Sequence, residues 1–234
     1  MKKKQFAFGM VPALAVALVT GGAAQAQYDL FSAEGGFNGG GYATGAVVYD
    51  NSVNLLGFLL GLQDEEWGDG VTLAGTNRLV NSISLMIHAN GDSGATADIT
   101  VRIFAGGDDA GATDPGALLW TSDTFLDFAI LDSANLYSFA VPNILVPDSF
   151  TWTIEMNNVF QAEEGAVGPR FVDPPVIGSS QTGFLWLHNP DATWSAINFG
   201  IPNNWGAVVN AVPAPGALAL LGLAGLAARR RRRA

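Results

Sequence analysis

Apolar and polar residues alternate strictly in several short stretches of this chain. The period of two runs through Ser82–His88, Asp98–Phe104 and Phe150–Met156. Because successive side chains of a strand point to opposite faces, such stretches indicate half-buried antiparallel strands. No long helical periodicity occurs between Gln27 and Ala211. The pattern restricts the central part of the chain to a β fold.

Turn sequences separate these stretches and define further strands. Asn90-Gly91-Asp92 and Asp114-Pro115-Gly116 are typical turn or loop sequences. Many short strands with this punctuation predict an all-β fold with a single antiparallel β-sandwich, jelly-roll-like in character. A hairpin with a longer loop is predicted for residues 81–89 and 97–104. Further strands are predicted at Ala46–Tyr49, Val71–Leu73, Leu118–Thr121, Leu136–Val141, Gly183–His188 and Ala196–Phe199.

Basic residues are confined almost entirely to the two ends of the chain. Lys2–Lys4 open it and Arg229–Arg233 close it, so three arginines face 21 acidic residues between them, a net charge of −18. Nucleic acid and anionic lipid are disfavoured as partners of this body, because phosphate binding needs clustered Lys and Arg. A cation such as Ca²⁺ is permitted. The absence of Cys excludes disulfides and thiol chemistry.

The N-terminal residues have the three parts of a secretory signal. Lys2–Lys4 are followed by the apolar stretch Phe6–Val19, which predicts a signal helix, and Ala24 and Ala26 supply the small residues of a cleavage site before Gln27. Residues 1–26 are therefore predicted to be a signal peptide, with export through the secretory translocon. The Gly-rich residues 27–45 are predicted to be a flexible lead-in to the sandwich.

The C-terminal residues predict a short membrane-inserted helix. Gly216–Ala228 is apolar and would reach about 20 Å as a helix, short of a full span. Arginine stems extend that reach. By the positive-inside rule, a cytoplasmic stop cluster is predicted that consists of Arg229, Arg230, Arg231, Arg232 and Arg233. The chain is thus predicted to contact the inner membrane transiently, with its body outside.

This tail resembles the PEP-CTERM sorting signal of Gram-negative bacteria, also called the ice-binding protein C-terminal domain. That pattern is Val-Pro-Glu-Pro, a short hydrophobic helix and a terminal arginine cluster. Val212, Pro213 and Pro215 match it, and Ala214 stands where the family has Glu. The resemblance implies recognition by an exosortase, cleavage near the motif, a final location at the envelope, cell surface or outside, and an association with exopolysaccharide and biofilm.

Part of the body carries a second resemblance. Trp67–Arg78 is similar to a segment of secreted β-sandwich proteins that end in the same signal and have no assigned activity. This implies the fold and no chemistry. The predicted organisation is then a signal peptide (1–26), a lead-in (27–45), a β-sandwich domain (46–202), a linker (203–211) and the sorting signal (212–234).

Catalytic patterns are sparse. The chain has no Cys, no Gly-x-Ser-x-Gly and only two histidines, His88 and His188, which are interpreted as surface or strand-end residues. The acidic runs Asp64–Glu66, Asp108–Asp109 and Glu163–Glu164 place neighbouring carboxylates on opposite faces of a strand and are interpreted as solvated turn acids. No enzymatic activity is predicted. A glycoside-processing enzyme is the weaker alternative.

Two kinds of binding site remain as hypotheses. Loop carboxylates suit Ca²⁺, although no EF-hand loop is present, and the candidate ligands are Asp92, Asp98, Asp108, Asp109 and Asp114. Trp120, Trp152 and Trp186 are interpreted as core, whereas Trp194 and Trp205 are candidates for stacking on sugar rings. The sequence favours an exported envelope or matrix protein with a structural or adhesive role linked to exopolysaccharide. The alternative is a carbohydrate-binding module, with or without structural Ca²⁺.

Overall fold

A computed structural model describes residues 30–32, 45–59, 61–91, 94–107, 112–161, 165–181, 183–200 and 204–214. The predicted signal helix and C-terminal helix lie outside these residues. No helix occurs within them, so none there is suited to crossing a membrane. The described residues form sixteen strands: β1 (Leu30–Ser32), β2 (Ala46–Asn51), β3 (Leu55–Leu59), β4 (Glu65–Thr72), β5 (Leu79–Asn90), β6 (Ala95–Phe104), β7 (Leu118–Thr121), β8 (Phe125–Ile130), β9 (Asn135–Leu145), β10 (Ser149–Gln161), β11 (Ala166–Val172), β12 (Ser179–Ser180), β13 (Phe184–His188), β14 (Trp194–Asn198), β15 (Asn204–Trp205) and β16 (Ala207–Val212).

The strands form two sheets. The first has the order β1-β9-β5-β11-β15, with β16 between β5 and β2 and with β3 beside β11. The second has the order β14-β13-β4-β10-β6-β7, with β12 beside β4 and β8 beside β6. All named pairs are antiparallel except that of β1 with β9. The prediction of an all-β fold is confirmed.

The alternating stretches place their apolar residues in one core shared by both sheets. Ile83 and Ile87 of the first sheet, and Trp152 and Ile154 of the second, are all fully buried in the same cluster. Their polar neighbours point to the outer faces, as the period of two requires. Burial of these side chains from both sheets is the main source of stability in such a fold.

The predicted hairpin is wrong. β5 pairs with β9, β11 and β16 in the first sheet, whereas β6 pairs with β10, β7 and β8 in the second. The chain therefore crosses from one sheet to the other near Gly91. Two strands with one apolar face satisfy the same sequence pattern whether they pair side by side or face each other across a core, so the pattern could not decide between these arrangements.

The predicted linker is also wrong, because residues 207–212 form β16 in the interior of the first sheet. This strand pairs with β2 on one side and β5 on the other. Ala207, Val209 and Ala211 are fully buried. Small and β-branched residues at every second position suit a strand that packs on a core. The sandwich therefore extends through Val212 rather than ending at residue 202.

Candidate functional site

A cluster of charged side chains lies on the outer face of the second sheet. Glu155 of β10 is directly opposite Glu66 of β4, and Glu66 is in turn opposite His188 of β13. Thr153, two residues before Glu155, is opposite Arg102 of β6. Paired residues and residues two apart share a face, so these five side chains converge although they come from four strands.

Arg102 links the two carboxylates. Its Nη1 lies 2.9 Å from Oε1 of Glu66, and its Nη2 donates a hydrogen bond of 2.6 Å to Oε2 of Glu155. The Glu66 side chain is only 5% exposed, whereas those of Arg102 and Glu155 are 23% and 28% exposed. A guanidinium with two separate amino groups can serve both carboxylates at once.

Further donors surround both carboxylates. The hydroxyl of Thr153 donates a hydrogen bond to Oε1 of Glu66, and Nδ1 of His188 lies 3.0 Å from Oε2 of Glu66. Asn157 donates to Oε1 of Glu155 at 3.1 Å. A buried carboxylate is tolerated only when it is paired and hydrogen-bonded, and Glu66 meets both conditions.

The surroundings of Glu155 and Arg102 favour the charged forms of these two residues. Burial acts to raise the pKa of Glu155, but hydrogen bonds from Asn157 and Arg102 outweigh it and lower that pKa. Burial likewise opposes the charge of Arg102, and the two carboxylates outweigh it and raise the pKa of the guanidinium. A general acid for glycoside cleavage needs a raised pKa, which is the opposite of the shift at Glu155. This arrangement suits holding strands together or presenting polar atoms to a ligand.

Aromatic rings lie beside the charged cluster. The ring of Trp194 stacks on that of His188 with centroids 4.5 Å apart and planes at 20°, and it meets the Phe104 ring edge-on at 5.4 Å. Four strand spacings separate β14 from β6, about 19 Å in a flat sheet. The contact between Trp194 and Phe104 therefore requires the sheet to curve toward this face, and Thr151 and Thr153 between them are fully buried.

Gly68 makes room on this face for Trp186. The two residues are directly opposite each other, and a Cβ on Gly68 would lie 2.6 Å from Cγ2 of Thr153. Trp186 is fully buried and meets Phe184 edge-on at 5.2 Å. The predicted core position is confirmed for Trp152. Trp186 is buried as well, but it lies on the outer face rather than between the sheets, because it shares the face of Glu66 and Thr153.

The two tryptophans predicted to stack on sugars have different surroundings. Trp194 is half-buried and borders the cluster just described. Trp205 is fully buried, with its ring 5.6 Å from that of Trp152 and 6.3 Å from that of Trp67. A ring enclosed in this way has no face for a ligand, so the prediction for Trp205 is wrong. Trp205 is buried because it lies in β15, a short strand of the first sheet. The prediction of a linker at residues 203–211 leaves this strand out.

The predicted calcium ligands are not brought together by the described residues. Asp98, near the start of β6, accepts hydrogen bonds from Asn158 and the amide of Asp127. Asp114 accepts one from the amide of Gly116, which packs against Gly106 beyond the other end of β6. About eight residues of extended chain separate those ends by about 26 Å, so Asp98 and Asp114 cannot share an ion. Asp92, Asp108 and Asp109 lie outside the described residues, and within these no group of three potential ligands occurs.

The acidic runs are only partly as predicted. Glu65 and Glu66 do face opposite sides of β4, since their partners are Met156 and Glu155. The interpretation of Glu66 as a solvated turn acid is wrong, because it lies within a strand and is nearly fully buried. Glu155 and Arg102 were missed altogether. One feature of the sequence could have identified Arg102. The body has only three basic residues against 21 acidic ones, so a buried carboxylate has few possible partners.

A second histidine site lies on the outer face of the first sheet. Nη1 of Arg170 is 3.3 Å from Nδ1 of His88, and Oδ1 of Asp132 is 3.9 Å from Nε2. Burial and the charge of Arg170 outweigh Asp132 and lower the pKa of His88 to about 4. His88 is therefore neutral at pH 7, and its Nδ1 accepts a hydrogen bond from the guanidinium.

The predicted sorting motif begins at the last strand that the structure describes. Val212 is the last residue of β16 and pairs with Leu79, and Pro213 and Ala214 follow it outside any strand. The other residues predicted to direct export and sorting lie outside the described residues, so their roles stay predictions. They are the signal-cleavage residues Ala24 and Ala26, the motif residue Pro215, and the stop-cluster residues Arg229, Arg230, Arg231, Arg232 and Arg233.

Comparisons with known proteins give no relative for this chain: no family model, no curated protein and no solved structure matches it.

Proposed function

We propose that the chain is an exported, non-catalytic envelope or matrix protein, in which a jelly-roll-like sandwich is the displayed part and the tail is the sorting signal. Export through the secretory translocon, transient anchoring in the inner membrane and recognition by an exosortase follow from the sequence of the two ends. The observation that supports the proposal is that the last described strand ends at Val212, which is also the first residue of the predicted sorting motif. The folded domain and the predicted sorting signal are therefore adjacent in the chain.

The sorting step is tested by mass spectrometry of the exported protein in a Gram-negative host that contains an exosortase. The mature protein is expected to begin at Gln27 and to lack Arg229–Arg233. A matched variant with five serines in place of the arginines should be exported without processing, because the positive charge that halts translocation is gone. Exported wild-type protein that retains its mass through Ala234 would rule out cleavage.

A second candidate function is carbohydrate binding at the outer face of the second sheet. The observation that favours it is that the half-buried Trp194 stacks on His188, a member of the same cluster as Arg102 and Glu155, which retain partial exposure. Sugar rings stack on aromatic faces while their hydroxyls bond to nearby charged groups. The hydrogen-bonded cluster beneath Trp194 would hold such a platform rigid, which limits the entropy lost on binding.

A glycan array with the exported protein tests this function. Binding is expected to fall at least about tenfold with Trp194→Ala, the scale of losing a stacked aromatic. Trp120→Ala is the matched control. Trp120 is also half-buried, but it belongs to β7, which lies at the opposite end of the strand order from the β14 strand of Trp194. Binding that is equally weak in both variants, or absent from the wild type, would exclude this site.

Calcium binding stays a prediction for Asp92, Asp108 and Asp109. A melting curve that is unchanged by EGTA would argue against it.

A further inference from the structure

An exposed aliphatic patch surrounds the point where the folded domain ends. Val212 of β16 pairs with Leu79 of β5, and Leu79 pairs with Leu145 of β9. On the other side of β16, Val47 of β2 pairs with Asn210. Since paired residues and residues two apart share a face, these four aliphatic side chains all point away from the core. We call Val47, Leu79, Leu145 and Val212 the exit patch.

The exit patch is accessible and locally uncharged. Leu145 is 63% exposed and Val47 is 41% exposed, while Leu79 and Val212 are half-buried. Arg78, beside Leu79 in the chain, forms an ion pair of 2.7 Å with Asp148. That pair neutralises charge at this end of a domain that is otherwise strongly acidic. A neutral aliphatic surface can lie against a lipid interface at less desolvation cost than the strongly acidic remainder of the body.

The tail limits how far this surface can be from a membrane. Only Pro213, Ala214 and Pro215 separate Val212 from the apolar stretch that begins at Gly216. The four residue steps from Val212 to Gly216 span at most about 14 Å. Leu145 is two strands from Val212, about 10 Å to the side. The headgroup layer on one side of a bilayer is itself about 5–8 Å thick.

We propose that, while the tail is inserted, the exit patch lies against the lipid headgroups and fixes which end of the sandwich faces the membrane. This inference rests on the proposed insertion of the tail. The partner is a neutral or zwitterionic lipid surface, because no cluster of basic residues occurs near the patch in the described residues. Tethering raises the effective concentration of the patch at the membrane, so a small apolar area is sufficient.

The chain lacks Cys, so single cysteines can be labelled without background. The full chain is reconstituted in phosphatidylcholine vesicles that carry a headgroup quencher, with an environment-sensitive dye on Leu145→Cys or Val47→Cys. Leu126→Cys on β8 is the matched control, because Leu126 is 71% exposed but belongs to the second sheet. Quenching is expected to be at least about twofold stronger at positions 145 and 47 than at 126, as for side chains within the interface.

The outcomes separate the two proposals. Protein that floats with the vesicles but is quenched equally at positions 145 and 126 overturns the exit-patch inference and leaves tail insertion standing. Dye protection at position 145 that rises with protein concentration and ignores the lipid quencher also overturns it, because a second copy then covers the patch. Protein that does not float removes tail insertion and this inference together. Each labelled protein is first shown to unfold cooperatively in urea, so that a misfolded variant is not tested.

Discussion

The guanidinium of Arg102 lies 2.9 Å from the carboxylate of Glu66, on the face of the second sheet that points away from the core. Glu66 is nearly fully buried there, and its opposite neighbour Glu155 is held by the same guanidinium. The two acids would repel each other on adjacent strands without this cation. Arg102 is therefore the residue on which the pairing of β4, β10 and β6 depends electrostatically.

Replacement of Arg102 should destabilise the domain strongly. Arg102→Gln is expected to lower the free energy of unfolding by about 3 kcal/mol, because it leaves a buried carboxylate without its ion pair. Urea denaturation measures this change. Asp148→Asn is the matched control and should cost less than about 1 kcal/mol, since Asp148 is 85% exposed and Arg78 keeps its hydrogen bonds to the carbonyls of Gly75 and Asn77. If the two variants lost the same free energy of unfolding, Arg102 would not be needed to compensate the buried charge of Glu66. Adding Glu66→Gln to Arg102→Gln should recover part of the loss.

His88 should make the domain sensitive to mild acid. Its pKa of about 4 lies below the 6.5 of an unperturbed histidine. Between those values the unfolded chain takes up a proton that the folded protein does not, so stability falls as the pH drops from 6.5 to 4. After allowance for solvent screening the loss is about 2 kcal/mol.

The pH dependence can be assigned by substitution. His88→Gln should flatten the plot of unfolding free energy against pH above 4.5. Below that value the lowered pKa of Glu155 also matters, because its stabilising contribution is present above 4.5 and is lost on acidification. Parallel curves for the wild type and His88→Gln between pH 6.5 and 4.5 would contradict the assignment.

The two candidate tryptophans should differ in their contribution to stability. Trp205→Ala is expected to cost about 3–5 kcal/mol, since it leaves a large cavity beside Trp67 and Trp152. Trp194→Ala should cost under about 2 kcal/mol, because part of that side chain remains near solvent. Chemical denaturation of both variants compares them directly. A larger loss at Trp194 than at Trp205 would contradict the burial described above.

Truncation should locate the end of the folded domain. A chain that stops after Val212 is expected to unfold as cooperatively as the longer protein, with the same far-UV circular dichroism. A chain that stops after Gly206 loses β16 and exposes the facing edges of β2 and β5, and it should fail to fold. A folded, cooperative protein ending at Gly206 would restore the predicted linker at residues 203–211.

The fold class and the buried faces could be predicted from sequence, whereas the arrangement of strands could not. The apolar face of β5 and that of β10 followed directly from their alternation. β11 and β16 escaped prediction because Gly168 and Pro169 interrupt the first and because the second is short and adjoins a proline-rich tail. The predicted hairpin failed because a turn sequence at Asn90-Gly91 fits a crossing between sheets as well as a tight connection.

The candidate site was predictable only in its ingredients. Trp194 was identified as a surface aromatic from its polar neighbourhood. Its companions were not found, because Glu66 and Glu155 are separated by many strands in the chain and meet only through the register of β4 against β10. Nothing local to either glutamate distinguishes it from an acid in solvent.

The sequence by itself determined which face of each alternating strand is buried, and it separated the basic ends from the acidic body. Both properties are local: the first follows from the two-residue repeat of an extended backbone and the second from composition. Tertiary structure alone decided that Arg102 bridges two glutamates, that Trp205 is buried and that the fold reaches Val212. Those facts depend on which strands pair and in what register, and that choice is made by the packing of the whole core rather than by any one segment.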